Sequence, residues 1–269
     1  MSLVDALCGM GHIASARQLA AVATKRAVAS AVGQQLIQRA GRGIYVCAHV
    51  DGEQLAAARA GCLIDCVSAL ARHDVWSGIR PHTLHLRARP HQHVRGAAVR
   101  WSRTHGVAAN GEVSPVDAIL EVMRCLPPDD ALACVESALY LGYLDERGLQ
   151  LVHSLAPRSA RRILARRDPG AQSGLETHAR LRLLAAGHTV RTQVPVPGTS
   201  DLDLLVDERV GIETDGRKWH ADRFIEDRTK DIIVEGAGIR MLRIASQHVF
   251  TSWPRTLATI ERMLRDARS

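Results

Sequence analysis

The chain has 269 residues, of which 46% are hydrophobic and 23% charged. At roughly 150 residues per domain this predicts about two domains with real cores, and it argues against disorder. No stretch approaches the ~18 uncharged apolar residues of a membrane span, and the opening MSLVDALCGM carries Asp5 and no basic n-region. Neither a membrane nor a secretory leader is therefore expected, which points to a cytoplasmic protein. Aromatic residues are only 3%, too few for a base-stacking surface to be the main business of the molecule. The net charge of +7 is uneven: residues 1–50 hold five basic and one acidic residue, 51–150 ten and twelve, and 151–269 twenty and fifteen. A basic front and back around a mildly acidic middle suggest two surfaces for a polyanion.

Residues 1–50 read as three helices and a hairpin. Ser2–Met10 is helical in pattern. Ser15 can cap a helix through Arg17, Leu19, Ala20 and Ala23. Thr24 can cap the next, with Val28, Ala31, Val32, Leu36 and Ile37 at helical spacing. Gly41-Arg42-Gly43 makes a tight turn into the strand Ile44-Tyr45-Val46. These are the ingredients of a winged helix-turn-helix, whose last helix enters the major groove while its wing lies on the backbone. Lys25, Arg26 and Gln34 would then be exposed on the reading helix, and Arg39 and Arg42 would contact phosphate from the wing. The competing reading is a small helical bundle with a solvated basic face. The run ARQLAAVATKRAVASAVGQQLIQRAGRGIYV resembles the N-terminal domain of the AbiEi family, winged-helix antitoxins and regulators of type IV toxin–antitoxin systems. GRGIYV is the most specific part of that likeness, which implies DNA binding and a toxin or regulatory partner.

Residues 51–157 read as a connecting α+β unit without a catalytic constellation. Gln54–Arg72 is expected as one helix. His82–Arg87 and Ala98–Ser102 alternate like strands. Ser114-Pro115 starts a helix over 116–126 that Pro127-Pro128 stops, and Asp129 can cap the next, Ala131–Tyr140. The six cysteines all precede residue 135 and include no C-x-x-C pair; Cys62 and Cys66 are four apart in the expected helix. They read as small buried hydrophobes in a reducing compartment rather than as a metal or redox site. His82, His85, His91 and His93 likewise lack a convincing ligand spacing. Residues 158–172 form an Arg-rich helix and linker. Arg158, Arg161 and Arg162 share one helical face there, either as a solvated surface or as a phosphate contact.

Residues 173–269 carry the chemistry. The expected order is a helix from Ser173 to Ala186, strands over 189–196, 201–206 and 210–215, a helix over 222–235, a strand over 239–244 and a helix over 254–268, that is α-β-β-β-α-β-α. In DLDLLVDERVGIETD, alternation places Asp201 and Asp203 on one face and Leu202, Leu204 and Val206 on the other. Glu213 and Asp215 share a face in the next strand. A turn through Asp207-Glu208-Arg209 sets Val206 opposite Val210, Asp203 opposite Glu213 and Asp201 opposite Asp215. Four carboxylates so placed repel one another. Water must solvate them, or a cation such as Mg²⁺ or Mn²⁺ must neutralise them.

Residues 173–264 resemble the very-short-patch-repair (Vsr-like) branch of the PD-(D/E)XK endonuclease superfamily. The matching residues are Asp203 in DLDLLV, Glu213, Asp215 and Gly216 in IETDG, His220 in RKWH, and Asp227, Arg228 and Asp231 in EDRTKD. The resemblance implies a restriction-endonuclease-like domain and metal-assisted phosphodiester hydrolysis. Asp203 and Glu213 would hold Mg²⁺ (or Mn²⁺), with Asp215 as a further ligand. Glu176 would be the superfamily's helical acid, although S-x-x-E is also a capping box on Ser173. The superfamily's lysine, two residues after the strand Glu, is replaced by Asp215. Of the chain's three lysines only Lys218 and Lys230 fall in this domain. Lys218 and His220 are the candidates to take its place as base or water-orienting group. Asp227 and Asp231 share a helix face, which either looks into the site or pairs with Arg223 and Lys230.

The sequence therefore predicts an α+β chain with a winged helix-turn-helix in front, an α+β middle and a nuclease fold behind. The function expected is a metal-dependent endonuclease acting on DNA, expected to be double-stranded, with a homodimer as one way to cut both strands. The rival is a DNA-binding regulator or antitoxin-like protein whose nuclease fold no longer cuts. An RNA-cleaving toxin is a weaker third.

Overall fold

The computed structural model describes residues 2–78, 83–88, 94–106, 109–215 and 224–266, excepting the side chains of 224–227. The chain is α+β, with three small sheets and no barrel among the described residues. Among those residues no helix is long and apolar enough to cross a membrane. Two compact units divide it: residues 1–126 with 142–161, and residues 127–141 with 162–269. The boundaries expected at 50 and 157 are thus not those of the compact units.

The first unit opens with α1 (Leu3–Gly9), β1 (Ile13–Ser15), α2 (Ala16–Ala20), α3 (Lys25–Gly33), β2 (Gln38–Gly41) and β3 (Ile44–Val46). Ser2, Ser15 and Thr24 cap the three helices by accepting from backbone N–H groups three residues on. The three strands form an antiparallel sheet with β3 in the centre. Leu7, Ala14, Leu19, Ala31 and Ile37 are buried together against it. The helix α3 is shorter than its apolar spacing predicts. Gln34 is its C-cap and Gln35 turns left-handed at φ 57°, so Leu36 and Ile37 lie beyond it. The glycines of GRG have separate reasons. Gly43 sits at φ +72°, and a Cβ on Gly41 would meet the carbonyl oxygen of Ala58 at 2.7 Å.

The helix expected over Gln54–Arg72 is two helices, α4 (Gly52–Ala60) and α5 (Cys66–Ala71), separated by β4 (Leu63–Ile64). Gly61, at φ 64°, ends α4 in the left-handed conformation. Cys62 and Cys66 therefore do not share a helix. β5 (Leu84–Arg87) and β6 (Ala97–Arg100) complete a second sheet in the order β4-β5-β6. On β5, Arg87 is 5% exposed, and its guanidinium reaches Asp65 at 2.8 Å and Asp117 at 3.0 Å. Asp117 belongs to α6 (Pro115–Cys125), so this buried trio ties sheet to helix.

The helix α7 (Pro128–Tyr140) crosses into the second unit. Its N-cap is Pro127, which has no side-chain cap, so Asp129 stands in the first turn and not at the cap. The first unit closes with α8 (Glu146–Leu155), and α9 (Arg158–Leu164) follows. The second unit then runs through α10 (Gly174–Ala185), β7 (Val190–Val194), β8 (Leu202–Val206), β9 (Val210–Asp215), α11 (Phe224–Gly236), β10 (Arg240–Ala245), a short α12 (Ser246–Phe250) that the sequence pattern does not reveal, and α13 (Trp253–Asp266). Its sheet has the order β10-β9-β8-β7. β7, β8 and β9 are an antiparallel meander, and β10 runs parallel to β9. The expected hairpin register holds, with Val206 opposite Val210 and Leu204 opposite Ile212.

Leu175, Ala179 and Leu183 recur every four residues on α10 and pack with Leu204, Val206, Val210, Ile212 and Ile260. Each leucine so buried contributes about 1.5–3 kcal/mol. Val194, Val196, Leu202 and Leu205 pack instead with Val234 of α11. Arg180 joins α10 to α7 through a 2.7 Å bond to Glu136, both nearly sealed from water. Helices therefore pack on both groups of apolar side chains that the sheet presents.

Candidate active site

The main-chain pairing of β8 with β9 ends at Leu204 and Ile212. Beyond it, side chains take over from the ladder. Oδ2 of Asp203 accepts from the Thr214 N–H at 2.8 Å and from its hydroxyl at 2.9 Å. The Asp203 N–H donates to Oε1 of Glu213 at 3.3 Å. The two acids expected to face each other are therefore together, held by each other's strands. Asp201 is not with them. It lies before β8 and is exposed, so the expected patch of four opposed carboxylates does not form.

Glu176 approaches from α10. The Ser173 hydroxyl caps the helix by accepting from the Glu176 N–H at 3.2 Å, as the S-x-x-E pattern predicts. The other half of a capping box is missing. The Glu176 carboxylate accepts instead from the Gln172 N–H at 3.0 Å and from the Gln193 amide at 3.1 Å. It is 5% exposed. Burial, reinforced by the charge of Asp203, pushes its carboxyl up to about 7. Burial and Asp203 also raise Glu213, against the opposing pull of Lys230.

Lys230 is the residue that sequence reasoning passed over. It stands on α11, 7% exposed, with Nζ 2.8 Å from Oε1 of Glu213 and 2.6 Å from the carbonyl oxygen of Asp201. Of the two readings left open for Asp231, pairing with Lys230 does not form. Asp231 pairs instead with Arg243 of β10, at 3.1 and 3.2 Å. Arg243 also lies 3.4 Å from Asp215. The register explains this, since β10 sets Arg243 beside Glu213 and Ala245 beside Asp215. Asp215 is thus matched by a cation of the chain itself.

No protein-family model matches the chain, and neither does any curated protein or solved structure compared with it.

His220 and Lys218 lie outside the described residues, as do Gly216 and the side chain of Asp227. In the first unit, Lys25 and Arg26 are exposed at the start of α3, and Arg39 and Arg42 are exposed on the β2–β3 hairpin. Gln34 is exposed too, but as the C-cap and not on the helix face. Arg161 and Arg162 are exposed on α9. His82, His91 and His93 lie outside the described residues.

Among the described residues, two groups gather donor atoms within 4.8 Å of one another, and both are of Cys and His: Cys8, His12, Cys47 and His49, and Cys66, His85 and Cys125. The expectation that the cysteines serve only as small hydrophobes is therefore incomplete. The signal was available as C-x3-H near residue 10 and C-x-H near residue 48, each half too short to stand out alone.

Among the described residues the acids of the sheet are not drawn into such a group. Their chemistry nevertheless suits Mg²⁺ or Mn²⁺, hard cations that commonly take one or two carboxylates and complete their shell with water and phosphate.

Proposed function

We propose that the second unit is a metal-dependent endonuclease domain of the PD-(D/E)XK kind and that the first unit delivers it to DNA. One observation carries this reading: Asp203, Glu213 and the buried Lys230 meet where β8 and β9 separate, and the charge of Asp203 is felt by Glu176 of α10. The order α10-β7-β8-β9-α11-β10 supports the superfamily assignment. Asp203 and Glu213 would hold Mg²⁺, which when bound polarises the phosphate, activates water and stabilises the leaving oxygen.

The chain's own groups do the rest. Lys230 supplies the cation that the superfamily places two residues after the strand acid, where this sequence has Asp215. From α11 it fixes the Glu213 carboxylate and would be the cation nearest to an attacking water or a phosphate oxygen held by the metal. Water adds to phosphorus, the P–O ester bond breaks, and the departing oxygen takes up a proton. Glu176, raised to about 7, can exchange a proton near neutrality. Arg243 holds Asp215 and Asp231 and thereby steadies the strand end.

For the front, the order α1-β1-α2-α3-β2-β3 with β3 central supports a winged helix-turn-helix. Lys25 and Arg26 on α3, with Arg39 and Arg42 on the hairpin, would contact duplex DNA, and Arg161 and Arg162 would add phosphate contacts. The rival reading, a regulator that binds without cutting, draws on the acids not being gathered into one three-donor group among the described residues.

A labelled duplex separates the two. Glu213→Gln is expected to leave the dissociation constant within about threefold of wild type while abolishing metal-dependent cleavage, since the metal and not the duplex grip depends on that acid. Cleavage that persists in Glu213→Gln would remove the site from the reaction.

A further inference from the structure

The larger of the two Cys and His groups lies in the first unit. α1 ends over Gly9, and the chain turns back through Gly11 and His12 into β1. Both residues are left-handed, at φ 79° and 72°. That conformation is uncommon for a residue with a side chain, though histidine tolerates it better than most. The nearly buried Gln54 secures the turn by donating to the carbonyl oxygen of Gly11 at 2.9 Å. Across the β1–β3 ladder, the Cys47 N–H donates to the carbonyl oxygen of His12 at 3.1 Å. The end of the ladder thus carries His12 and Cys47 side by side, with Cys8 above on α1 and His49 two residues further on.

The donor distances decide what the cluster is. Sγ of Cys8 lies 3.3 Å from Sγ of Cys47 and 3.6 Å from Nδ1 of His49. Sγ of Cys47 lies 3.3 Å from Nδ1 of His12 and 3.9 Å from Nδ1 of His49. Zinc bonds of about 2.3 Å to sulfur and 2.0–2.1 Å to nitrogen, arranged tetrahedrally, require edges of about 3.8 Å for S–S, 3.6 Å for S–N and 3.4 Å for N–N. The three S–N edges straddle their ideal value, the S–S edge is about 0.5 Å shorter than its own, and all four donor atoms lie within 4.8 Å of one another. Both cysteines are free, and their sulfurs are too far apart for the ~2.05 Å of a disulfide. Two thiolates and two imidazoles form a closed, borderline-soft set that suits Zn²⁺ and leaves no vertex for a substrate.

We propose that Cys8, His12, Cys47 and His49 form a structural zinc site that fastens α1 to the β1–β3 ladder. The site is independent of the carboxylates and of the nuclease reading. It would give a small helical front with a short sheet a staple that its modest core lacks.

The test is metal analysis of the full-length protein purified from zinc-replete cells, beside Cys47→Ser, His49→Ala and Cys125→Ser. The last variant disarms the second group, Cys66, His85 and Cys125. About one zinc per chain is expected in Cys125→Ser, beyond any metal the second group holds in the wild type, and it should be gone from Cys47→Ser. His49 is exposed, so His49→Ala should fold and should lose at least about tenfold in zinc affinity by chelator competition. Exchange with Co²⁺ should give thiolate charge-transfer and tetrahedral d–d absorption in Cys125→Ser, and neither band in Cys8→Ser/Cys47→Ser made on that background. Zinc content unchanged by Cys47→Ser, unchanged affinity in His49→Ala, a protein without zinc, or a Cys8–Cys47 disulfide in the native mass spectrum would each overturn the proposal.

Discussion

At the scale of single residues, the site turns on two groups whose surroundings differ from what their sequence positions suggest. Lys230 sits in a polar helical run, EDRTKD, where a lysine reads as solvated, yet it is 7% exposed and bonded to Glu213. Lys230→Ala would leave Glu213 buried beside Asp203 without its cation. Breaking a buried pair from one side costs about 3–5 kcal/mol, and denaturant unfolding should show a loss of that order along with loss of cleavage. Lys230→Arg should recover much of the stability but little of the activity, because the fork does not fit a point-charge site. Glu176 gives a pH signature. Its folded carboxyl lies at about 7 against an ordinary 4.5, so the folded state holds its proton more tightly than the unfolded state. Stability therefore falls as pH rises from about 4.5 to 7 and stays reduced above, by about 3 kcal/mol at most. Glu176→Gln keeps the shape and removes the charge, so the difference in stability between variant and wild type should grow over that window. A flat difference would mean that Glu176 is not held protonated. Asp203 and Glu213 were legible because alternation fixes a strand's faces. Lys230 was not, because its partner stands on another element, far along the chain at Glu213.

At the scale of elements, caps and hairpins were legible where local chemistry decides them. Ser15, Thr24 and Ser173 all cap as their spacing predicts, and Ser2, expected inside the first helix, caps it. The α4–α5 break was not legible, because an Ala-rich run keeps helical periodicity across Gly61 and only the left-handed turn there ends it. Asp129 yielded the cap position because Pro127-Pro128 fixes the helix start earlier in the chain. The β8–β9 hairpin holds both Asp207 and Glu208 left-handed, at φ 47° and 58°. Asp207 is compensated: its carboxylate accepts from His188 at 2.8 Å and from the Thr189 N–H and hydroxyl. Glu208 has an exposed pair with Arg191, and such pairs contribute little. Glu208→Gly should therefore stabilise the second unit by about 0.5–1 kcal/mol, because the turn favours glycine there. A loss of stability on thermal unfolding would show that the Arg191 pair outweighs the strain.

At the scale of the whole molecule, the proposed division of labour follows the uneven charge of the chain. A basic front carries exposed Lys25, Arg26, Arg39 and Arg42, while the acids of the second unit gather at one sheet end. The α+β class followed from element order; the boundaries of the compact units did not. The transfer of α7 to the second unit rests on the buried Glu136–Arg180 pair, which joins residues far apart in the chain. If the front binds duplex DNA, replacing Lys25 and Arg26 together by Ala should weaken binding and reduce the slope of log affinity against log salt by about two. An unchanged slope would take α3 out of the interface. The central claim is that the carboxylates of β8 and β9 cut DNA with a metal, and it is tested most directly on supercoiled plasmid. The protein and Asp203→Ala should be incubated with it in Mg²⁺, in Mn²⁺ and in EDTA. Nicking by the wild type that needs the metal and disappears in Asp203→Ala is the expected result. Plasmid retarded on the gel but left intact in every metal, equally by both proteins, would contradict the account and leave a DNA-binding regulator in its place.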